Sequence, residues 1–288
     1  MPPYFRAALA VSPRREFADR RAIDHRLIRT SARAFLMPSQ SLARTAATRL
    51  NPGEIAAPSL IPCERPPIAM NTFPRFIEKG SGPAIVFEHG TLMDATMFES
   101  QIAHLAAHGY RGIAHNSRTL VGPNVRHSLS DLVEDTRLLL DDLELERVVL
   151  AGMSVGAFMA IDFALKYPAR LAGLVLIDGK ASPYTDKQRA DYIPEFSKCD
   201  IDGPVPRDFA AWDAHYCFGP TTFEQNRPLV DAWIDRWATL IPARAVWHQA
   251  LSWLDKPDRT ARLSEIETPT LVIHGEEDVP IPIAQAID

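Results

Sequence analysis

Three cysteines in 288 residues, Cys63, Cys199 and Cys217, are too few and too scattered for a disulfide framework. There is no Cys-x-x-Cys pair, so a zinc site is not suggested, and a reducing, cytoplasmic compartment fits best. No apolar run is long enough to span a bilayer. The net charge of −5 lacks the basic excess of a nucleic-acid binder. With 46% hydrophobic and 23% charged residues, the chain reads as an ordinary soluble globular protein of one large domain or two small ones.

Charge is unevenly spread. Residues 1–69 contain no lysine, yet hold 11 arginines against five acidic residues, which leaves the remainder at −11. The same stretch carries nine of the 24 prolines and no sustained helical or strand period. Three readings compete: a transit peptide, a disordered extension, or residues upstream of a true start at Met70. A twin-arginine export signal at Arg14-Arg15 fails because the following ADRRAIDHRLIRT is charged where an apolar segment is required. In every reading the stretch is not folded.

The centre of the chain is Arg147–Asp178. Val148–Ala151 is apolar and too short for a helix, so it reads as a buried strand. Gly152-Met153-Ser154-Val155-Gly156 follows, then a helical run through Phe158, Ile161 and Leu165 that stops at Pro168. Leu174–Ile177 is the next strand. Strand, tight turn, helix and strand make a βαβ unit of a parallel sheet. At such a turn the two glycines let strand and helix pack closely. The serine hydroxyl is then held at a helix N-terminus, where free N–H groups favour a developing oxyanion.

This segment, together with His89-Gly90-Thr91-Leu92-Met93-Asp94 and His274-Gly275-Glu276-Glu277-Asp278, resembles the α/β-hydrolase superfamily over about residues 73–283. Within it the chain looks like the serine esterase, perhydrolase and C–C hydrolase branch. The resemblance implies an α/β fold with a mostly parallel, doubly wound sheet and a helical cap insertion. It divides the chain into an extension (1–69), a first core part (70–181), a cap (182–257) and a second core part (258–288). It implies Ser154 as nucleophile and Asp278 as triad acid, with Glu277 and then Asp178 as fallbacks. The backbone N–H groups of Val155 and of Thr91 (or Leu92) would form the oxyanion hole. His89 and His274 would be structural, no metal or organic cofactor is implied, and the partner is a small apolar substrate. Epoxide hydrolase and dehalogenase chemistry is disfavoured, because relatives with those activities use Asp at the Ser154 position.

Other strands and helices are expected at Phe73–Lys79, Ala84–Phe87, Met97–His108 and Gly112–His115, with a helix opened by Ser130 and Asp131. All five tryptophans fall in the presumptive cap, where packing helices together is the plain reading for each. Two departures stand out. The loop after the third strand, Asn116-Ser117-Arg118-Thr119-Leu120, keeps only the arginine of the related pattern. The sequence also has no histidine after His274, whereas the triad base should follow the acid by roughly 25 residues. His115, His127, His215 and His248 are weak substitutes. The expectation is a serine hydrolase for a small ester, thioester, lactone or activated ketone, lacking its last strand, helix and base, and so impaired. The rival is a ligand-binding protein that has kept the pocket and lost the chemistry.

Overall fold

The computed structural model describes residues 73–122 and 125–287; the readings of residues 1–69 and of a Met70 start lie outside that range. Six strands form one sheet: β1 (Phe76–Lys79), β2 (Ala84–Glu88), β3 (Arg111–His115), β4 (Val148–Met153), β5 (Leu171–Ile177) and β6 (Thr270–Ile273). Their order is β1-β3-β2-β4-β5-β6, with β1 antiparallel to β3 and every other pairing parallel. β6 ends the order, with no strand beyond it among the described residues.

Alternation along the strands dictates the layers. Ala84 and Val86 of β2 join one apolar cluster while Ile85 and Phe87 join another; Val148 and Leu150 of β4 divide from Ala151 in the same way. A strand apolar on both faces must be covered twice. Helix α1 (Glu99–Ala107) covers one face through Ile102 and Leu105. Helices α2 (Leu129–Asp142) and α3 (Val155–Lys166) cover the other through Leu139, Leu140, Phe158 and Phe163. This is the doubly wound α/β arrangement expected from the sequence.

Local boundaries differ where caps decide them. The helix expected from Ser130 begins at Leu129, capped by Ser128: the Ser128 hydroxyl accepts from Asp131 N–H, and Asp131 accepts from Ser128 N–H at 2.7 Å. Spacing of three residues between the two side chains sets this reciprocal box, which Ser130 cannot form with its neighbour. The Met97–His108 helix is a 3-10 turn (Ala95–Phe98) followed by α1, because Asp94 caps Thr96 N–H and draws the start back. β1 is shorter than expected, β2 and β3 each gain one residue, and β5 gains three.

Between β5 and β6 lie five helices: α4 (Asp186–Phe196), α5 (Arg207–Cys217), α6 (Pro220–Gln225), α7 (Arg227–Leu240) and α8 (Ala243–Leu254). Polar ties hold them to the sheet-bearing part. Arg236 of α7 reaches the fully buried Asp94 at 2.7 Å, Trp253 Nε1 of α8 donates to Thr91 Oγ1 at 3.0 Å, and Thr221 of α6 donates to Glu277. Trp237 is buried within the insertion, as the packing reading expects; Trp253 does more, because it also faces the cavity below.

Candidate active site

β4 ends at Met153, and Ser154 turns the chain into α3 with φ 53° and ψ −117°, a left-handed conformation that glycine favours. Holding a serine there costs of order 1–3 kcal/mol, so its surroundings must over-determine it. Ser154 N–H donates to Ile177 O at 2.9 Å, and Ser154 O accepts from Ala157 and Phe158 at the start of α3. The flanking glycines allow the approach. A Cβ on Gly152 would sit 2.1 Å from Gly156 O, and one on Gly156 would sit 2.3 Å from Glu88 O.

Ser154 lies at the floor of a cavity of about 240 Å³. The same cavity is lined by Thr91 from the loop after β2, by Asp178 after β5, and by Glu277 and Asp278 after β6. The insertion supplies Tyr192, Phe196, Asp213, Tyr216 and Trp253 to its walls. Four sequence-derived candidates, Ser154, Asp278, Asp178 and Glu277, therefore meet with Thr91 around one space. Val155 is buried at the first turn of α3 rather than in the lining; its N–H belongs to the turn whose donors have no intrahelical acceptor. Leu92, beside Thr91, has φ 64° and is buried. No histidine lines the cavity among the described residues.

The three acids differ in environment. Asp278 Oδ1 accepts from Ile281 N–H at 2.9 Å, and Oδ2 lies 3.2 Å from His274 Nε2. Asp178 accepts from Gly275 N–H at 2.8 Å; burial, reinforced by the Asp278 charge, pushes its carboxyl up to about 6. Glu277 is turned toward the insertion, where the Thr221 hydroxyl and N–H hold its carboxyl below the ordinary value.

Asp178, His274 and Asp278 place side-chain ligand atoms within 4.8 Å of one another, a set that could hold a metal ion. Burial works to lower the His274 imidazole. Its bonds to Asp278 and the Ile281 carbonyl, with the charges of Asp178 and Asp278, raise it on balance. Nε2 of His274 also lies 2.6 Å from Ile281 O, so this ring nitrogen is directed at the carbonyl and at Asp278, while Nδ1 stands 4.0 Å from Asp178.

The alpha/beta hydrolase family profile matches residues 85–288. The chain belongs to the alpha/beta hydrolase family. Its relatives are hydrolases and related enzymes. A 3-oxoadipate enol-lactonase from Acinetobacter baylyi is 26% identical over 210 residues, covering 69% of this chain and 72% of the relative. A non-heme chloroperoxidase from Streptomyces lividans is 26% identical over 224 residues, covering 71% and 78%. Among solved structures, a thermophilic esterase from Thermogutta terrifontis superposes with a TM-score of 0.65 at 27% identity, covering 73% of this chain and 77% of the esterase. No helix among the described residues is long and apolar enough to cross a membrane.

Within this alpha/beta hydrolase the two expected structural histidines have visible work. His89 Nε2 accepts from Ser117 N–H at 3.0 Å, so Nδ1 carries the proton and donates to Gly90 O at 2.8 Å. That tautomer pins the loop bearing Thr91 to the divergent loop after β3. Burial lowers the His89 pKa, which keeps the ring neutral and the tautomer fixed. Arg118, the surviving residue of the divergent loop, forks onto Asp135 of α2 at 2.5 and 2.6 Å and takes no part in the cavity.

Asp213 of α5 was not anticipated from the sequence, where a carboxylate on a helix face gave no sign of facing inward. It is 6% exposed, and burial pushes its carboxyl up to about 6 against a weaker opposing effect from the Cys217 thiol. The folded state therefore holds its proton to higher pH than the unfolded chain. Stability from this group is present below about pH 4 and is lost as pH rises to about 6. Asp213→Asn is accordingly expected to be more stable than the parent above about pH 6, with the gap closing below about pH 4. Thermal unfolding of both proteins across that range checks this; a gap independent of pH would contradict it.

Proposed function

We propose that the protein is a serine hydrolase acting on a small ester, thioester, lactone or activated ketone through an acyl-Ser154 intermediate. The observation that carries the reading is Ser154 at φ 53° on the floor of the cavity, at the start of α3. The Ser154 Oγ attacks the carbonyl carbon, and the carbonyl oxygen gathers negative charge against the N–H groups of Val155 and Thr91. The leaving group departs with a proton, and water then releases the acid and restores the hydroxyl. Asp278, already fixed by Ile281 and His274, is the acid that would orient a histidine base. The five-helix insertion acts as the cap: it walls the cavity with aromatics and excludes water from the reacting carbonyl.

Acylation needs a base, and no described histidine lines the cavity. The unaided rate is therefore expected to be low, and imidazole supplied in solution should raise it. Hydrolysis of p-nitrophenyl butyrate, corrected for imidazole alone, should rise about tenfold with imidazole for the parent protein and not at all for Ser154→Ala. Equal rates in the two proteins would favour the second reading. That reading, a ligand-binding protein with an alpha/beta hydrolase cavity and no chemistry, is supported by the same lack of histidine at the cavity wall.

A further inference from the structure

We infer that the cavity selects substrates bearing a cationic, ammonium-like group, with Asp213 of α5 as the anchoring counter-charge; the inference rests on the cavity being the substrate site proposed above. Among the described residues its lining contains four carboxylates, Asp178, Asp213, Glu277 and Asp278, and no lysine, arginine or histidine. Three of them are already engaged. Asp278 and Asp178 flank His274, and Asp178 also takes the Gly275 N–H. Glu277 is held by Thr221.

Asp213 differs. It is more than nine-tenths buried, it lines the cavity, and no cation pairs with it among the described residues. Its hydrogen-bond partner there is the Cys217 thiol, 3.4 Å from Oδ2, a weak donor. A buried carboxylate without a counter-charge is a standing cost to the fold unless a ligand supplies the charge.

The wall around it suits an organic cation rather than a bare ion. Trp253 stands 4.9 Å from Tyr184, 5.8 Å from Tyr192 and 5.4 Å from Phe196, ring centre to ring centre, and Tyr216 continues the wall 6.4 Å from Tyr192. Aromatic faces attract cations, and the protein already uses one so: Lys180 Nζ sits 3.6 Å over the Tyr184 ring. Aromatic faces and an unpaired carboxylate together bind a substituted ammonium better than an anionic or neutral group of equal shape. Carboxylate-bearing esters and lactones are correspondingly disfavoured.

The test uses an isosteric pair, acetylcholine and 3,3-dimethylbutyl acetate, which differ in charge but hardly in shape. Both are titrated at about pH 8 into the full chain carrying Ser154→Ala, so that no turnover competes, with calorimetry as the readout. Acetylcholine should bind at least about tenfold more tightly, and adding Asp213→Asn should cut that ratio at least about threefold. Equal binding of the two esters, a ratio unchanged by Asp213→Asn, or binding of neither up to about 10 mM would overturn the inference. The comparison of the two esters in Ser154→Ala alone stands even if the added Asp213→Asn misfolds. Failure of the hydrolase reading looks different: Ser154 would resist acylation while the ammonium preference persisted.

Discussion

Gly156→Ala should unfold the protein at a temperature lower by roughly 10 °C or more. A methyl at this position lies 2.3 Å from Glu88 O and 2.8 Å from Glu88 C, which are backbone atoms of β2 and cannot swing aside as a side chain would. β2 is held on both sides, by β3 and by β4, so α3 itself must move. Forcing a helix off a packed sheet costs about 3–5 kcal/mol, and 1 kcal/mol shifts the midpoint of a domain this size by about 2–4 °C. Gly109→Ala is the control. It has φ +82° but nothing within 4 Å of the added methyl, so only conformational strain of about 1 kcal/mol is expected. Thermal melts of the two variants should therefore differ widely. Similar melting would mean that α3 is not pressed against β2 as closely as described.

Glu88→Leu is expected to be the second severe lesion. The Glu88 carboxylate is buried at the end of β2, where it accepts from Thr136 Oγ1 at 2.7 Å and lies 3.1 Å from His115 Nδ1. Leucine fills much of the same volume but leaves the His115 ring without this acceptor and the Thr136 hydroxyl with only the Leu132 carbonyl at 3.1 Å. Removing the shared acceptor of such a buried set costs about 1–3 kcal/mol for each polar group left unsatisfied. Glu88→Gln should be milder, since an amide oxygen still accepts from Thr136. Chemical denaturation would rank the three proteins; Glu88→Leu as stable as Glu88→Gln would show that the network contributes little.

Glu88 also marks the limit of what the sequence alone discloses. A carboxylate at a buried strand end has no local rationale, because its partner Thr136 is 48 residues away on another element. The same holds for the Asp94–Arg236 tie between the loop after β2 and α7, whose residues lie 142 positions apart. The Ser154 turn was legible because every element of it is local. Strand, two glycines, serine and a largely apolar helix occupy consecutive positions and dictate one another's geometry. β2, β4 and β5 were legible for a similar reason, as short apolar runs with turn residues at their ends. The inward face of α5 was not, since Asp213 reads from the sequence as one more charge on a helix. Only the closure of the insertion over the sheet turns it toward the cavity.

The central claim is that Ser154 is the nucleophile, and covalent capture tests it most directly. A fluorophosphonate forms a bond from phosphorus to the serine oxygen and expels fluoride, so the adduct records which hydroxyl attacked. After incubation with the reagent and imidazole, intact-mass measurement and peptide mapping of the 288-residue chain should find one adduct, on Ser154, and none on Ser154→Ala. An adduct on another residue, or an unmodified Ser154 in a folded protein, would contradict the account.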